Sequence, residues 1–521
     1  MEIEKSIEDF FRQEDISINI PNKKIVNKNN ESKFVLQTSY LDCYQKWRMN
    51  QPNKQVSFSK FVKLKPKNVL TPKKLQLMNC LCEYCEGVRL KIEAIIKLSI
   101  QLKKPELKLV DKHACVDMIF CPKTEGEVDY KLDCIDRNCN TCSTQKLEQK
   151  LQPLSVMETV KWHSWELVRY NNPKTGKVSS KQELVDKTAT PVEFIENVIK
   201  EVTFLARHLF EARWQQIQFG ILSKSLKIKQ VMLTADYAEN FTCFSQNEIQ
   251  GAHWMRNSVT VHPTILNYNC PECPDSIVEE CVDIISDDLV HDAHAFQHFL
   301  QVIHQHLTTT QLINIEEYVI ASDGYAVQYK CKTAFMDVSN ALEDLGVVVE
   351  RAYYGSRHGK NRCDGEGGIL KSKVTRAIKN GEAVINNAEK FADHCKETLT
   401  KGNRINDKCN HKRRTIIYIR KEDINHNRAV ANVKTLKGTR KLHSVRTVRS
   451  GVVLTRRLSC FCHSCQHFKY DECENSAYAD KWEEANLQHV PRVQRKRQQN
   501  IPRQGNLFSC CIVAVYWTFS P

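Results

Sequence analysis

VIASDGYAVQYKCKTAFMDVSNALEDLGVVVERAYYGSRHGKNRCDGEGG, residues 319–368, decides how the rest of the chain is read. An apolar run, Tyr318 to Ala321, ends in Ser322-Asp323-Gly324. A helical pattern follows, then a second apolar run, Val347 to Val349, which leads through Tyr353-Tyr354 into a Gly-rich turn, Cys363-Asp364-Gly365-Glu366-Gly367-Gly368. The pattern predicts a strand with an acid at its C-terminal end, a helix, a strand, and a further acid at the start of another helix. Metal-dependent phosphodiester chemistry needs carboxylates that converge in this way, because two hard cations about 3.5–4 Å apart need oxygen ligands from separate elements.

Upstream, QVMLTADYAENF reads as a buried strand carrying Asp236 at its end. HWMRNSVTVHPTILNY predicts two strands around a turn at Asn257, and IVEECVDIISDDL another strand. HDAHAFQHFLQVIHQHL is an amphipathic helix, and residues 367–395 form one long helical stretch. Several strands followed by alternating helices and strands predict an α/β fold, a mixed sheet with helices on its faces. The element order is close to that of a ribonuclease-H-like core. Asp236, Asp323 and either Asp364 or Glu366 are the expected Mg2+ or Mn2+ ligands and catalytic acids. His358, in the His358-Gly359-Lys360 loop, is the expected proton donor or phosphate contact. Each acid also has a plain structural reading, since Asp-Gly is a common turn pair and Asp364 suits a helix N-terminus. Asp287, Asp288, His291 and Asp292 form a secondary polar cluster suited to capping the next helix.

The net charge is +15, from 76 Lys and Arg against 61 Asp and Glu. Residues 401–460 hold 17 Lys and Arg and 3 Asp and Glu, so nearly the whole surplus sits there, and an anionic partner is expected. The N-terminus MEIEKSIEDFF is acidic and has no apolar signal region, and no apolar run reaches spanning length. Twenty-three cysteines without a secretory signal read first as zinc ligands. Cys80-Leu-Cys82-Glu-Tyr-Cys85 opens one block and Cys134-Ile-Asp-Arg-Asn-Cys139-Asn-Thr-Cys142 closes it, with Cys115 and Cys121 between. Two such knuckles close a thiolate tetrahedron of the structural type, so Cys82, Cys85, Cys121, Cys134, Cys139 and Cys142 are candidate zinc ligands. Cys460, Cys462, Cys465 and Cys473 form a second set. Cys270-Pro-Glu-Cys273 is a lone pair and a weak signal.

The expected organisation is a polar N-terminal arm (1–75), a cysteine-rich zinc module (76–150), a helical region (151–229), the core (230–400), a basic segment with the second cysteine cluster (401–475) and a basic tail (476–521). In the helical region, Trp162, Trp165, Phe204, Phe210 and Trp214 fall at near-helical spacings, and His208 reads as a packed core histidine. Pro491-Arg-Val-Gln-Arg-Lys-Arg497 reads as a nuclear-localisation run.

DYAENFTCFSQNEIQGAHW, the SDG segment with QYK and SRHGKNRCDGEGG resemble the motifs of a group of metazoan transposon-derived proteins. The similarity extends back through FVKLKPKNV and CLCEYC and forward to LSCFCHSC, over most of residues 57–473. The group's acids correspond to Asp236, Asp323 and Asp364, whereas Glu366 falls on a variable position. Tyr237 stands where the group has Phe, and Asn361-Arg362 where it has Gly-Pro. The resemblance implies a DDE-type transposase, or a domesticated derivative, acting on DNA in the nucleus. It would use catalytic Mg2+ or Mn2+ and structural zinc, with a homo-oligomer on DNA ends as an option and no membrane. The alternative is a non-catalytic zinc-containing DNA-binding or chromatin protein on the same scaffold.

Overall fold

A computed structural model describes residues 2–488 apart from 14–15, 21–32, 37–39, 41–42, 45–46, 49–50, 52–53, 71–81, 124–128, 172, 174–175, 254, 271, 401–410 and 429–432. Cys80, the nuclear-localisation run and the apolar C-terminal residues lie outside the described residues.

The chain folds as mixed α/β around a large mixed sheet. Its centre is two fully buried strands, β6 (Gln230–Ala235) and β10 (Glu317–Ser322), which pair in parallel. Both read as continuous apolar runs because helices cover both faces. β11 (Val348–Tyr353) continues in parallel beyond β10. On the other side β8 (Ser258–Cys270) pairs antiparallel with β6, β9 (Cys273–Ser286) antiparallel with β8, and β7 (Ala238–Thr242) antiparallel with β8. The basic segment supplies β12 (Arg414–Ile419), which pairs with β9 at one edge, and β13 (Ser444–Arg449) and β14 (Val452–Arg456), which extend from β11 toward the other. There β15 (Glu483–Asn486), from the residues after that segment, is outermost.

That placement changes the reading of the basic segment. Arg414, Arg428, Arg446, Arg456 and Arg457 are engaged inside the protein, by Glu366, Asp337, Glu317 with Glu350, two cysteine sulfurs, and Asp136 respectively. The arginine surplus is in large part structural. Exposed cations remain at Lys434, Lys437, Arg440 and Lys441.

The Arg414 pair also removes Glu366 from the acid centre. Arg414 donates to both Glu366 carboxylate oxygens, at 2.9 Å to Oε2, and Asp283 lies 3.8 Å from the same guanidinium. Glu366 is two residues beyond Asp364 on one helix, about 200° around its axis, so the two side chains face different neighbours. Asp283 is wholly buried and raised well above the ordinary carboxylate range, by burial first and then by the Glu366 charge. Removing the cation leaves two buried carboxyls without their counter-ion. We expect Arg414→Met to destabilise the protein by about 3 kcal/mol, read by urea unfolding; an unchanged midpoint would remove this role.

Three further expectations are corrected. Residues 151–229 are not helical throughout: β4 (Val160–Asn171) and β5 (Val178–Ala189) form a two-stranded antiparallel ribbon before the helix Pro191–Leu222. Trp162 and Trp165 belong to that ribbon and point to opposite faces, one buried and one exposed. The N-terminal residues are no plain arm. The helix Glu2–Phe11 and the short sheet β1 (Ser17–Ile20), β2 (Lys33–Leu36) and β3 (Val69–Leu70) enclose Ile7, Phe10, Phe11, Trp47 and Phe61. The Lys- and Asn-rich composition of 21–33 hid these few well-spaced apolar residues. The long helical stretch after Gly367 is two helices, Arg362–Lys379 and Ala388–Leu399. Among the described residues no helix is long and apolar enough to cross a membrane.

Candidate active site and metal centres

β6 and β10 run in register, with Ala235 opposite Ser322. The next residue on each strand is an acid, Asp236 and Asp323. Adjacent strands lie about 4.8 Å apart and in-register residues share a face. The two carboxyls therefore leave the same edge of the sheet side by side. The third acid arrives on the helix Arg362–Lys379. Cys363 Sγ donates to the Thr234 carbonyl at 3.2 Å, which pins the helix's first turn to the end of β6. Gly367 permits the approach, since a Cβ there would sit 2.9 Å from Ala238 Cβ.

The electrostatics report the convergence. Asp236 is raised well above the carboxylate range, by burial first and then by the charges of Asp364 and Asp323. Asp323 is raised by burial, against the Tyr325 N–H that reaches Oδ1 at 3.1 Å and the charge of Arg357. Asp364 is raised by burial, against the Asn361 N–H at 3.0 Å and Lys360. Asp236 and Asp323 share an opening that Asp364 does not line, and the three acids are not among the groups whose ligand atoms lie within 4.8 Å of one another; a divalent cation would remove the repulsion between such carboxyls. Asp364 also completes a capping box with Asn361, so one oxygen serves the helix.

Asp236 and Asp323 line an open cleft of about 400 Å³ with Tyr237, Glu239, His291 and Tyr325. His291 stacks on Tyr237 at 4.3 Å and its Nε2 lies 2.9 Å from Thr260 Oγ1. The secondary acids are otherwise occupied: Asp292 caps the helix Ala293–Gln305, Asp288 and Asp292 flank His426, and Asp287 accepts from the Lys421 N–H.

The raised acids set a pH dependence. A carboxyl whose folded pKa exceeds its unfolded value contributes stability in full below the unfolded value and loses it as pH rises through the raised one. Asparagine has no such loss. With the acid centre free of Mg2+ and Mn2+, we expect Asp236→Asn to be more stable than wild type at pH 7 by on the order of 1 kcal/mol. The advantage should shrink toward pH 4. A wild-type protein as stable as the variant at both pH values would deny the crowding.

The cysteines sort into three groups. Cys121, Cys134, Cys139 and Cys142 come together, as do Cys460, Cys462, Cys465 and Cys473, and Cys82 and Cys85 meet His208 and His358. In each group the four ligand atoms lie within 4.8 Å of one another. Cys121 Sγ stands 3.8 Å from Cys139 Sγ and 3.5 Å from Cys142 Sγ, and Cys460 Sγ 3.7 Å from Cys473 Sγ. These separations exceed a disulfide and match the edge of about 3.8 Å of a thiolate tetrahedron around zinc. Each group holds one thiol inclined to ionise: Cys85 and Cys139 are lowered to about 6 and Cys460 to about 5, by hydrogen bonds from Cys82, Thr141 and Cys465 respectively. In the last group Arg456 reaches Cys465 at 3.4 Å and Cys473 at 3.2 Å, and Asn475 reaches Cys460 at 3.4 Å. Such donors balance surplus thiolate charge and favour a closed structural site. The cysteine clusters fit structural zinc.

Two readings change here. The knuckles around Cys82 and Cys139 belong to different groups and do not close one tetrahedron. His358 is not free to serve the acids, because its Nε2 faces His208 Nε2 at 3.0 Å and Cys85 Sγ at 3.6 Å. His208 is buried, but as a member of this group rather than as core filler. Its sequence signal was weak, one histidine in an apolar helix. Cys82 and Cys85 lacking two nearby cysteine partners was the available hint. Cys270 meets His411 at 3.2 Å and forms no such group among the described residues, and Cys115 stays an isolated buried thiol.

Comparison with known proteins adds no activity. A family model described as a domain of unknown function (DUF8701) matches residues 215–459, which contain all three acids and His358. A second domain of unknown function (DUF8699) matches residues 1–73. No curated protein and no solved structure matches the chain.

Proposed function

We propose that the chain is a DNA transposase, or a domesticated derivative of one, that cleaves and joins phosphodiester bonds with two Mg2+ or Mn2+ ions held by Asp236, Asp323 and Asp364. The observation that carries this reading is the register of β6 and β10, which delivers two acids side by side at one sheet edge. The strand succession β9-β8-β6-β10-β11, with β8 antiparallel to its neighbours, supports a ribonuclease-H-like core. In this reading, Asp236, Asp323 and Asp364 would hold the ions, which would activate a water for in-line attack and neutralise the departing 3′-oxygen as it takes up the water's proton; the freed 3′-hydroxyl would then displace a 3′-oxygen of the target strand. The acids act as ligands, and their crowding is relieved when the cations bind.

DNA would be held through phosphate contacts. Exposed Lys437, Arg440 and Lys441 sit in the loop whose Arg440 carbonyl accepts from Lys330 at 3.4 Å. Lys330 in turn packs 3.5 Å from the Cβ position of Gly324, beside Asp323. A cationic loop next to the acids supports sequence-independent, salt-sensitive binding. The capping-box role of Asp364 favours a second reading, a DNA-binding protein that keeps the scaffold without catalysis. Metal-dependent cleavage and strand transfer on DNA carrying the element's own ends, with wild type beside Asp323→Asn, separates the two.

A further inference from the structure

The loop between β11 and the helix Arg362–Lys379 makes three close contacts within five residues. Gly355 lies on the helix Pro191–Leu222, where a Cβ would meet Ala212 Cα at 2.5 Å. His358, three residues on, reaches His208 of the same helix, one turn before Ala212. Gly359 lies against Asp323, where a Cβ would meet Asp323 Cβ at 2.9 Å. Arg357 adds an ion pair to Glu83 at 3.2 Å, in the first turn of the helix Glu83–Gln101. Cys82 is the N-cap residue of that helix and Cys85 stands one turn in.

We propose that Cys82, Cys85, His208 and His358 hold one zinc ion that clasps this loop to the helix Glu83–Gln101 and thereby fixes the Asp323 side of the cleft.

Hydrogen bonding alone does not account for the four side chains. His208 Nε2 faces Cys82 Sγ at 3.1 Å and His358 Nε2 at 3.0 Å. A ring nitrogen carries either one hydrogen or one in-plane lone pair, so it makes one full hydrogen bond and must share it between these two partners. A cation between them takes both nitrogen lone pairs and both thiolates at once. Two sulfurs and two nitrogens at tetrahedral spacing select zinc over the oxygen-seeking cations expected at the acids. The ligands come from three distant parts of the chain, with Cys85 and His358 separated by 273 residues. The ion would close a long loop and join the cysteine-bearing helix to the cleft. Tyr84 and Phe204 flank His208, with ring centroids 5.0 and 6.1 Å away, and shield the site. The link to metal binding at the acids rests on the proposed function; the clasp itself does not.

The test uses the full chain and three variants: His358→Ala, His358→Cys and Asp236→Asn. Zinc is counted by mass spectrometry, and hydrogen exchange is followed in peptides covering 354–361. His358→Ala should hold one zinc fewer than wild type, and exchange in the loop should quicken at least about tenfold. His358→Cys, which restores a ligand, should recover both, whereas a packing role would not recover in this way. After cobalt loading, His358→Cys should gain the near-ultraviolet sulfur-to-metal absorption of one further thiolate. This readout decides the matter if His358→Ala fails to fold. The Mn2+ dissociation constant should rise at least about tenfold in His358→Ala, while Asp236→Asn loses Mn2+ and keeps its full zinc count. An unchanged zinc count in folded His358→Ala, no added absorption in His358→Cys, or loss of zinc with loop exchange unchanged would each overturn the clasp. A wild-type protein that binds no Mn2+ would sink the acid-centre reading instead, leaving zinc count and exchange to decide the clasp.

Discussion

If the chain acts as the proposed transposase, Asp323→Asn should retain DNA binding within about twofold and lose metal-dependent strand cleavage by at least about 100-fold, roughly 3 kcal/mol of barrier. The amide has the shape of the carboxyl, and its oxygen still accepts the Tyr325 N–H that now reaches Oδ1. What disappears is the negative charge with which Asp323 would help to hold the cations. Asp236, the partner in register, cannot replace it, because one carboxylate cannot bridge two ions and also complete each coordination shell. The wild-type reaction should need Mg2+ or Mn2+. Its rate should climb with pH through the acid range, since protons compete with cations for carboxyls raised by burial. Filter binding and cleavage of labelled DNA ends, run on the same preparations, are the measurements. Full cleavage by the variant would take Asp323 out of the mechanism.

The second large effect is expected at the C-terminal cysteine cluster. Cys473→Ser should release one zinc and destabilise the folded protein by at least about 5 kcal/mol, because metal-binding energy at such a site is folding energy. For a body of this size, that corresponds to a fall of roughly 5 °C in Tm. The loss spreads because the strand end leading into the cluster is stitched to the helix Pro191–Leu222. Trp214 Nε1 donates to the Ser459 carbonyl at 2.8 Å, Gln215 accepts from the Ser459 N–H at 3.0 Å, and Gln218 accepts from the Phe461 N–H at 2.7 Å. Arg456, now paired with two sulfurs, would be left buried beside a neutral hydroxyl. Thermal melting with zinc quantification tests this. An unchanged Tm and zinc count would show that the four thiols pack without a metal.

Legibility in the sequence followed the range of the interactions. β6, β10 and β11 were readable because a strand buried on both faces must be apolar throughout, and each carries that mark without reference to anything distant. The ribbon β4–β5 was misread as helix. Its base is buried on one face while its outer half is largely exposed, so Trp162 and Trp165 mimic helical spacing over a short window. The fate of the arginines was invisible for a different reason. Arg414 and Arg446 look like any basic residue between β-branched neighbours, and only the sheet order brings Glu366 and Glu317 to them.

The features legible without the fold are local: an acid at the end of each of two buried strands, a third acid in a Gly-rich helix start, and cysteines in pairs. Partnership was decided by the tertiary structure. It set Asp236 beside Asp323 through the register of β6 and β10, and turned Glu366 away to Arg414. It also took His358 from the acids and gave it to Cys82, Cys85 and His208. Periodicity records which face of an element is buried. Nothing in it records which distant residue stands opposite, and a metal centre assembled across 273 residues is made of such oppositions.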